Sequence, residues 1–403
     1  MIAAAHSAAL AAGRVLAEGD PLFSRGLDLG VVLVVIVKTL IAFAVLMVSV
    51  LFMVWFERKV IADMQNRYGP NRAGPFGILQ SLADGIKLFF KEDLLPERAD
   101  RKVFRLAPYL SAVPAFLAFA IVPLGGTIKV AGHTTQLQLA DPPVGILFLL
   151  AMSSVAVYGV MLAGWSSGSK YPLLGSVRAS AQMISYEAAL GLSVAAVVLD
   201  AGSLSTRTIV DHQLGGIFNW EFIRLGIIPF AIFMIAATAE LNRPPFDLVE
   251  AEQELVGGFN TEYSSIRFAL FYLAEFMNTV TMSAIIVTLF LGGPNGFQLG
   301  PIGRQSVVWF VLKIFIFLFT YVWLRATLPR FRYDQLMDLG WKVLIPLSLG
   351  WLLVLAGMLV RPLYGFMVFG GLAVAALVLL RARELGRRAA TSESVRASLR
   401  EVR

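Results

Sequence analysis

Cysteine is missing from all 403 residues of this chain. Its absence removes disulfides, thiol nucleophiles and thiolate-held iron–sulfur clusters from anything the chain does by itself. Histidine is scarce: His6, His133 and His212 are all there are. Each falls on a segment expected to face outward, so no metal site is expected, and inner-side proton chemistry would rest on carboxylates or on a partner. Charge is thin as well, at 15% of residues against 57% hydrophobic, a balance outside the usual range of soluble domains. The sequence has no internal repeat, no low-complexity linker and no second soluble domain. The alanine-rich stretch Met1–Asp20 has no basic segment ahead of its apolar part, which argues against a cleaved signal peptide. Aromatic and basic residues do not interleave, so the net charge of +7 is no nucleic-acid footprint.

What remains is a series of apolar runs of membrane-spanning length. They cover residues 30–56, 107–126, 144–165, 177–199, 225–241, 268–292, 307–325, 341–360 and 363–380. The expected fold is an all-α, polytopic integral membrane protein. It has eight core transmembrane helices within residues 30–361, an outer N-terminal segment over 1–29, and a C-terminal extension over 362–403 made of a ninth helix and a basic tail. Lysine and arginine orient it. If the first run passes from outside to inside, 25 basic residues fall on inner segments and 7 on outer ones. The positive-inside rule then places the N-terminus outside and, with nine spans, the C-terminus in the cytoplasm.

The stretch AELNRPPFDLVEAEQELVGGFNTEYSS, residues 239–265, sits between two apolar runs. It carries Glu240, Asp247, Glu250, Glu252, Glu254 and Glu262 against one base, Arg243. Pro244 and Pro245 remove two backbone donors and disfavour helix at Arg243, so the preceding helix should stop near Leu241. Asp247, Glu250 and Glu254 are spaced i, i+3, i+7 on one helical face, with Phe246, Leu248, Val249, Leu255 and Val256 interleaved. That pattern suits a half-buried row of acids, although a solvated loop kept soluble by its charges remains an alternative.

Other stretches also join acids and bases to apolar runs. The first span ends in WFERK, in which the aromatic pair and the bases suit interfacial anchoring while Glu57 does not. Residues 76–91 read as an amphipathic helix in the membrane interface, with Gln80, Asp84, Lys87 and Lys91 as a narrow polar stripe. Asp84 has Lys87 within reach as a pairing partner. Glu187 lies inside the fourth span and Glu275 inside the sixth. A charged carboxylate at that depth costs about 2.5 to 3.5 kcal/mol, so each has either a function or a hydrogen bond to a neighbouring helix. Lys38 and Lys313, also within spans, are given no role.

Three of these motifs, WFERKVIADMQNRYGPNRAGPFG, AELNRPPFDLVEAEQELVGGFNTEYS and RATLPRFRYDQLM, resemble the proximal membrane subunits of respiratory complex I. The resemblance spans residues 30–360. Leu241 replaces the family's usual threonine, and the ninth run exceeds its usual eight spans. The resemblance implies a subunit of a proton-translocating NADH:quinone oxidoreductase in the bacterial plasma membrane. Glu57, Arg58, Arg67, Asp84, Arg325 and Arg330 would then line a quinone site. Glu187, Glu240, Asp247, Glu250, Glu252, Glu254, Glu262 and Glu275 would form a proton path. It also implies that this chain binds no cofactor of its own, takes quinone as substrate, and meets iron–sulfur clusters, FMN and NADH on partner subunits of the peripheral and membrane arms. A secondary transporter would also carry intramembrane acids, but usually in two related halves with broken helices, which the sequence does not display. A subunit of a membrane-bound hydrogenase shares the architecture and stays open at this stage.

The charge bias makes a direct prediction. A reporter active only in the cytoplasm should work when fused after Arg403 and fail when fused after Arg361. The reverse pattern would contradict the nine-span topology.

Overall fold

The computed structural model describes residues 20–23, 28–130, 132–248, 255–298, 303, 305–375 and 381. They form an all-α membrane protein with one short hairpin. The chain separates into two units, residues 1–345 and 346–403.

In the first unit, α1 (Leu29–Met64) is capped by the Asp28 side chain and runs 36 residues. It continues past the expected end at Phe56, because no breaker intervenes before Asn66, whose φ is 53°. A short turn at Pro75–Gly77, with Phe76 at φ 55°, delays the interfacial helix α2 to Gln80–Phe90, four residues later than expected. Next come α3 (Arg101–Phe119), the hairpin β1 (Thr127–Val130) and β2 (His133–Gln136), α4 (Gly145–Ser166) and α5 (Lys170–Ala201). Two short helices, α6 (Thr206–His212) and α7 (Glu221–Arg224), lead to α8 (Ile227–Glu240). The unit then continues with α9 (Ser265–Phe290), α10 (Val307–Thr327) and α11 (Tyr333–Leu339). In the second unit α12 (Ile345–Val360, its first residue at the junction) is followed by α13 (Pro362–Ala375). Among the described residues each of the nine expected runs falls on a helix; seven helices, the last being the continuous stretch Tyr333–Val360, are long and apolar enough to cross a membrane, and α8 and α13 are shorter as described. Residues 376–380 of the ninth run lie outside the described residues.

Helix α9 is central. Every residue from Thr279 to Phe290 is buried, which is the signature of a helix packed on all sides. It packs against α3, α1 and α10, while α4, α5 and α8 stack in sequence beside α3. By contrast α1 turns Leu33, Ile36, Leu40, Ile41 and Val48 outward, an apolar surface suited to lipid or to other subunits. Small residues allow close approach: a Cβ on Gly175 of α5 would meet Gly258 Cα at 2.7 Å, so only glycine lets the chain before α9 lie against α5.

Helix α8 is too short to cross alone. Its 14 residues span about 21 Å, against about 30 Å of hydrocarbon. Gly226 at φ 80° starts it and Asn242 at φ 51° turns the chain away from it. The irregular backbone that follows is buried, with Leu241, Arg243, Phe246, Asp247 and Leu248 all enclosed. Non-helical chain survives in such surroundings only when its polar groups find partners in protein. Gln182 of α5 provides them, donating to Ala239 O at 2.7 Å and Phe246 O at 2.9 Å. The two intraspan lysines are also satisfied. Lys38 pairs with Asp20 at 2.8 Å. Lys313 donates to the carbonyls of Leu291, Gly293 and Asn295 and lies 4.3 Å over the Trp220 ring.

Candidate functional site

Glu57 sits on the inward face of α1 with its side chain only 6% exposed. A carboxylate there needs compensation, and two distant segments provide it. Arg243, just after α8, donates from Nη1 to Glu57 Oε2 at 2.6 Å, and Arg325 at the end of α10 donates to Glu57 Oε1. Arg243 is itself buried. Its Nε lies 2.9 Å from Glu275 Oε1 of α9 as an ion pair without hydrogen-bond alignment, and its guanidinium stacks 4.3 Å over the Phe276 ring. One guanidinium therefore holds two carboxylates from two helices, and it lacks the hydration it would have in water.

Acids of the network line two cavities. The first is an open cleft whose lining includes Glu57, Arg58, Arg67, Tyr272, Phe276 and Arg325. Beside it Arg58 meets Asp84 of α2 at 2.5 Å, and Gln80 donates to the same carboxylate at 3.1 Å. Asp84 therefore pairs across to α1 rather than with Lys87 on its own helix. The second, a much smaller cavity, is lined by Ser111, Met183, Glu240, Asn242, Glu275 and Asn278 among others. Glu275 and Phe276 are successive on α9, and one lines each cavity. Arg243, bonded to Glu57 of the cleft and facing Glu275 of the inner cavity, connects them.

The inner acids have hydroxyl partners. Ser153 of α4 donates to Glu240 Oε1, and its neighbour Ser154 bonds Glu187 Oε1 of α5. Asp247 is buried and takes Arg330 Nη2 at 3.0 Å.

The structure thus brings Glu57, Arg58, Arg67 and Arg325 together at the cleft with Asp84 beside it, Arg330 onto Asp247, and Glu240 and Glu275 into the inner cavity, with Glu187 bonded on the same turn of α4 as Glu240. Glu262 is half-buried and makes no ion pair among the described residues. Glu250, Glu252 and Glu254 lie outside the described residues. Sequence reasoning left Arg243 and the two serines without a role. Arg243 had a usable signal, being the sole base in a stretch with six acids and placed before two prolines. The serines had none, because hydroxyls within an apolar helix are common.

At the other end of the helices Asp200, His212 and Glu221 offer ligand atoms within 4.8 Å of one another. Arg224 already lies there, 3.0 Å from Asp200 Oδ2 and 3.3 Å from His212 Nε2, so a guanidinium balances the acids. Burial pushes the Glu221 carboxyl up and the nearby Asp200 charge adds to this, while its bond to His212 opposes them.

The family described as NADH dehydrogenase matches residues 37–356. A protein of Frankia alni, named as the H subunit of NADH-quinone oxidoreductase, is 56% identical over 331 residues, covering 80% of this chain and 72% of its own length. A protein of Streptomyces avermitilis with the same name is 53% identical over 332 residues, with the same shares covered.

The geometry predicts the effect of removing the shared base. Replacing Arg243 with Met leaves Glu275 without this partner and Glu57 with only Arg325, and should destabilise the fold by about 3 kcal/mol or more. The measurement is the amount of protein in membranes and its thermal unfolding midpoint. Adding Glu57→Gln to Arg243→Met should recover part of the loss, because it removes an uncompensated buried charge. An Arg243→Met protein as stable as the parent would contradict the network.

Proposed function

Because the chain belongs to the NADH dehydrogenase family, as a multi-pass membrane subunit of the NADH-quinone oxidoreductase complex, we propose that it shapes the quinone site of that complex and couples quinone reduction to proton movement. The observation that carries this reading is the chain of charges Glu57–Arg243–Glu275, which spans from the open cleft to the inner cavity.

The cleft has the properties a quinone path requires. Tyr272 and Phe276 offer apolar ring surface, while Arg58, Arg67 and Arg325 offer donors to carbonyl oxygens or to a developing negative charge. Reducing a quinone to a quinol takes two electrons and two protons. Without cysteine the chain has no thiolate to hold an iron–sulfur cluster, so the electrons come from partner subunits that carry the clusters and the FMN oxidising NADH. The protein's part is electrostatic. Negative charge arriving in the cleft competes with Glu57 for Arg325 and Arg243. Loosening Arg243 from Glu57 alters its hold on Glu275, and the change in charge passes to Glu240 and Glu187. Asp247, with Arg330, and Glu250, Glu252, Glu254 and Glu262 complete the proposed acid path on the stretch between α8 and α9. The charge bias of the loops supports a cytoplasmic cleft, where the peripheral arm would dock, with the remaining membrane-arm subunits against the apolar outer faces.

Two classes of variant test this in the intact complex. Arg58→Ala and Asp84→Ala should each slow NADH:quinone reduction roughly tenfold, as loss of a charge-assisted contact of about 1.5 kcal/mol implies. NADH oxidation by an artificial acceptor that takes electrons upstream should be unchanged. Glu187→Gln should assemble but lose most coupled proton uptake. Normal quinone kinetics in both cleft variants, or normal pumping by Glu187→Gln, would contradict the reading.

A further inference from the structure

The first half of α1 borders a recess far from the cleft. Its lining on α1 forms a single stripe, with Leu33, Val37, Ile41 and Val45 repeating every four residues. The stripe runs from Gly30 to Val45, about 22 Å along the helix, and Lys38 on it lies about 28 Å from Glu57. Phe119 and Val122 are buried behind it. Ile128 and Val130, alternate residues of β1 and so on one face of the hairpin, line the other side. The hairpin is held against α1: a Cβ on Gly30 would come within 2.9 Å of His133 Nε2, and Lys38 donates to Thr135 Oγ1 at 2.8 Å. The recess is therefore fixed by packing.

Its size and lining limit what can fill it. The volume is about 400 Å³, within the range of about 300–1,000 Å³ usual for small-molecule sites. Spread along about 22 Å, that leaves a section of a few tens of Å² at most, whereas a helix about 10 Å across needs roughly 80 Å². Close helix packing in membranes also prefers small residues, and the rim here carries Leu33, Val37 and Ile41, all exposed. Water finds few polar partners in a lining that is almost entirely apolar. A hydrocarbon chain suits both the section and the chemistry. The stripe is also longer than the roughly 15 Å of hydrocarbon in one leaflet, half of about 30 Å, so one chain can lie along it.

The polar groups at the recess match the other end of such a molecule. The ammonium of Lys38 has three donors, and Asp20 and Thr135 take two of them, each at 2.8 Å. His133 makes no hydrogen bond among the described residues. One ammonium N–H and the imidazole are thus left for phosphate or ester oxygens. Nearby charges balance, Asp20 and Asp28 against Lys38 and Lys129, so the site exerts no net pull on an anionic headgroup.

We propose that this recess binds one acyl chain of a membrane phospholipid, with Lys38 and His133 donating to its phosphate and ester oxygens and with little regard for headgroup charge. The site needs neither the quinone reading of the cleft nor the proton path.

The test uses the intact complex equilibrated with vesicles of phosphatidylcholine containing a phospholipid with a diazirine in its acyl chain. The complex is extracted into detergent and freed of loosely held lipid before irradiation, and labelled peptides are identified. Label should fall on residues 30–45 and 119–139, equally for zwitterionic and anionic versions of the probe. Ala42→Phe, inside the recess, and Ile41→Trp, at its rim, should each reduce that label at least fivefold. Ile41→Trp adds bulk at an exposed position, so its result stands even if Ala42→Phe fails to assemble. Leu40→Trp, exposed on α1 but outside the lining, should label like the parent. NADH oxidation by an artificial acceptor checks assembly in each case. Undiminished label in Ile41→Trp, equal loss in Leu40→Trp, or label spread evenly over α1 would overturn the site. So would displacement of the probe by a long-tailed quinone, which would make the recess a quinone-tail site.

Discussion

A charge taken out of water must be compensated, and in this protein the pair Glu57–Arg243 shows where that requirement shapes the fold. A carboxylate 6% exposed on α1 and a guanidinium 5% exposed beyond α8 meet at 2.6 Å. Either one left alone would cost several kcal/mol. The pair thus fixes the approach of α1 to the chain that follows α8, while Arg325 and Glu275 extend it to α10 and α9. The shortness of α8 makes the contact possible. A helix of full spanning length would carry the proline turn out to the surface, and Arg243 would be one more loop base. A stabilising role alone would be poorly served by such a network, since apolar replacements of similar volume are often as stable. Under the proposed function the network adds sensitivity: a charge entering on one side would alter every partner of the shared base.

The proposed coupling then needs no large movement. Phe276 lines the cleft and Glu275 the inner cavity, and one guanidinium, whose contact with Glu275 lacks hydrogen-bond alignment, meets an acid of each. In the proposed coupling, small rotations of that side chain would exchange one carboxylate for the other as the better partner. The backbone around it is held by Gln182, which bonds carbonyls on both sides of the turn. A rigid frame around one adjustable charge is what transfer of an electrostatic signal requires.

Much of the fold was legible because apolar runs in a membrane protein have few interpretations. Nine runs became nine helices, and the doublet Pro244–Pro245 marked the end of α8 within one residue. Helix ends governed by turn chemistry were read less well. The first span is expected to end at Phe56, yet α1 continues to Met64, and the interfacial helix α2 begins four residues late because Phe76 takes a positive φ. Within the candidate site, individual acids and bases could be named from their improbable places in apolar sequence. Their partners could not. Glu57 and Arg325 are 268 positions apart, and spacing offers Asp84 only Lys87 on its own helix, while its partner in the structure is Arg58 of α1. Spacing reports which residues share a face, and only tertiary packing reports what that face meets. Ser153 and Ser154 carried no signal because their role comes entirely from the acids on other helices.

The central claim is that the cleft and the inner acids act as one electrostatic unit through Arg243. A double-mutant cycle on Glu57→Gln and Glu275→Gln, read as the rate of proton uptake coupled to quinone reduction in the intact complex, tests it most directly. Because both carboxylates share one guanidinium, the two substitutions should be non-additive, with an interaction energy in the range of about 0.5–3 kcal/mol expected for residues in one network. Additive effects would mean that the two cavities work independently and that Arg243 is only a structural tie.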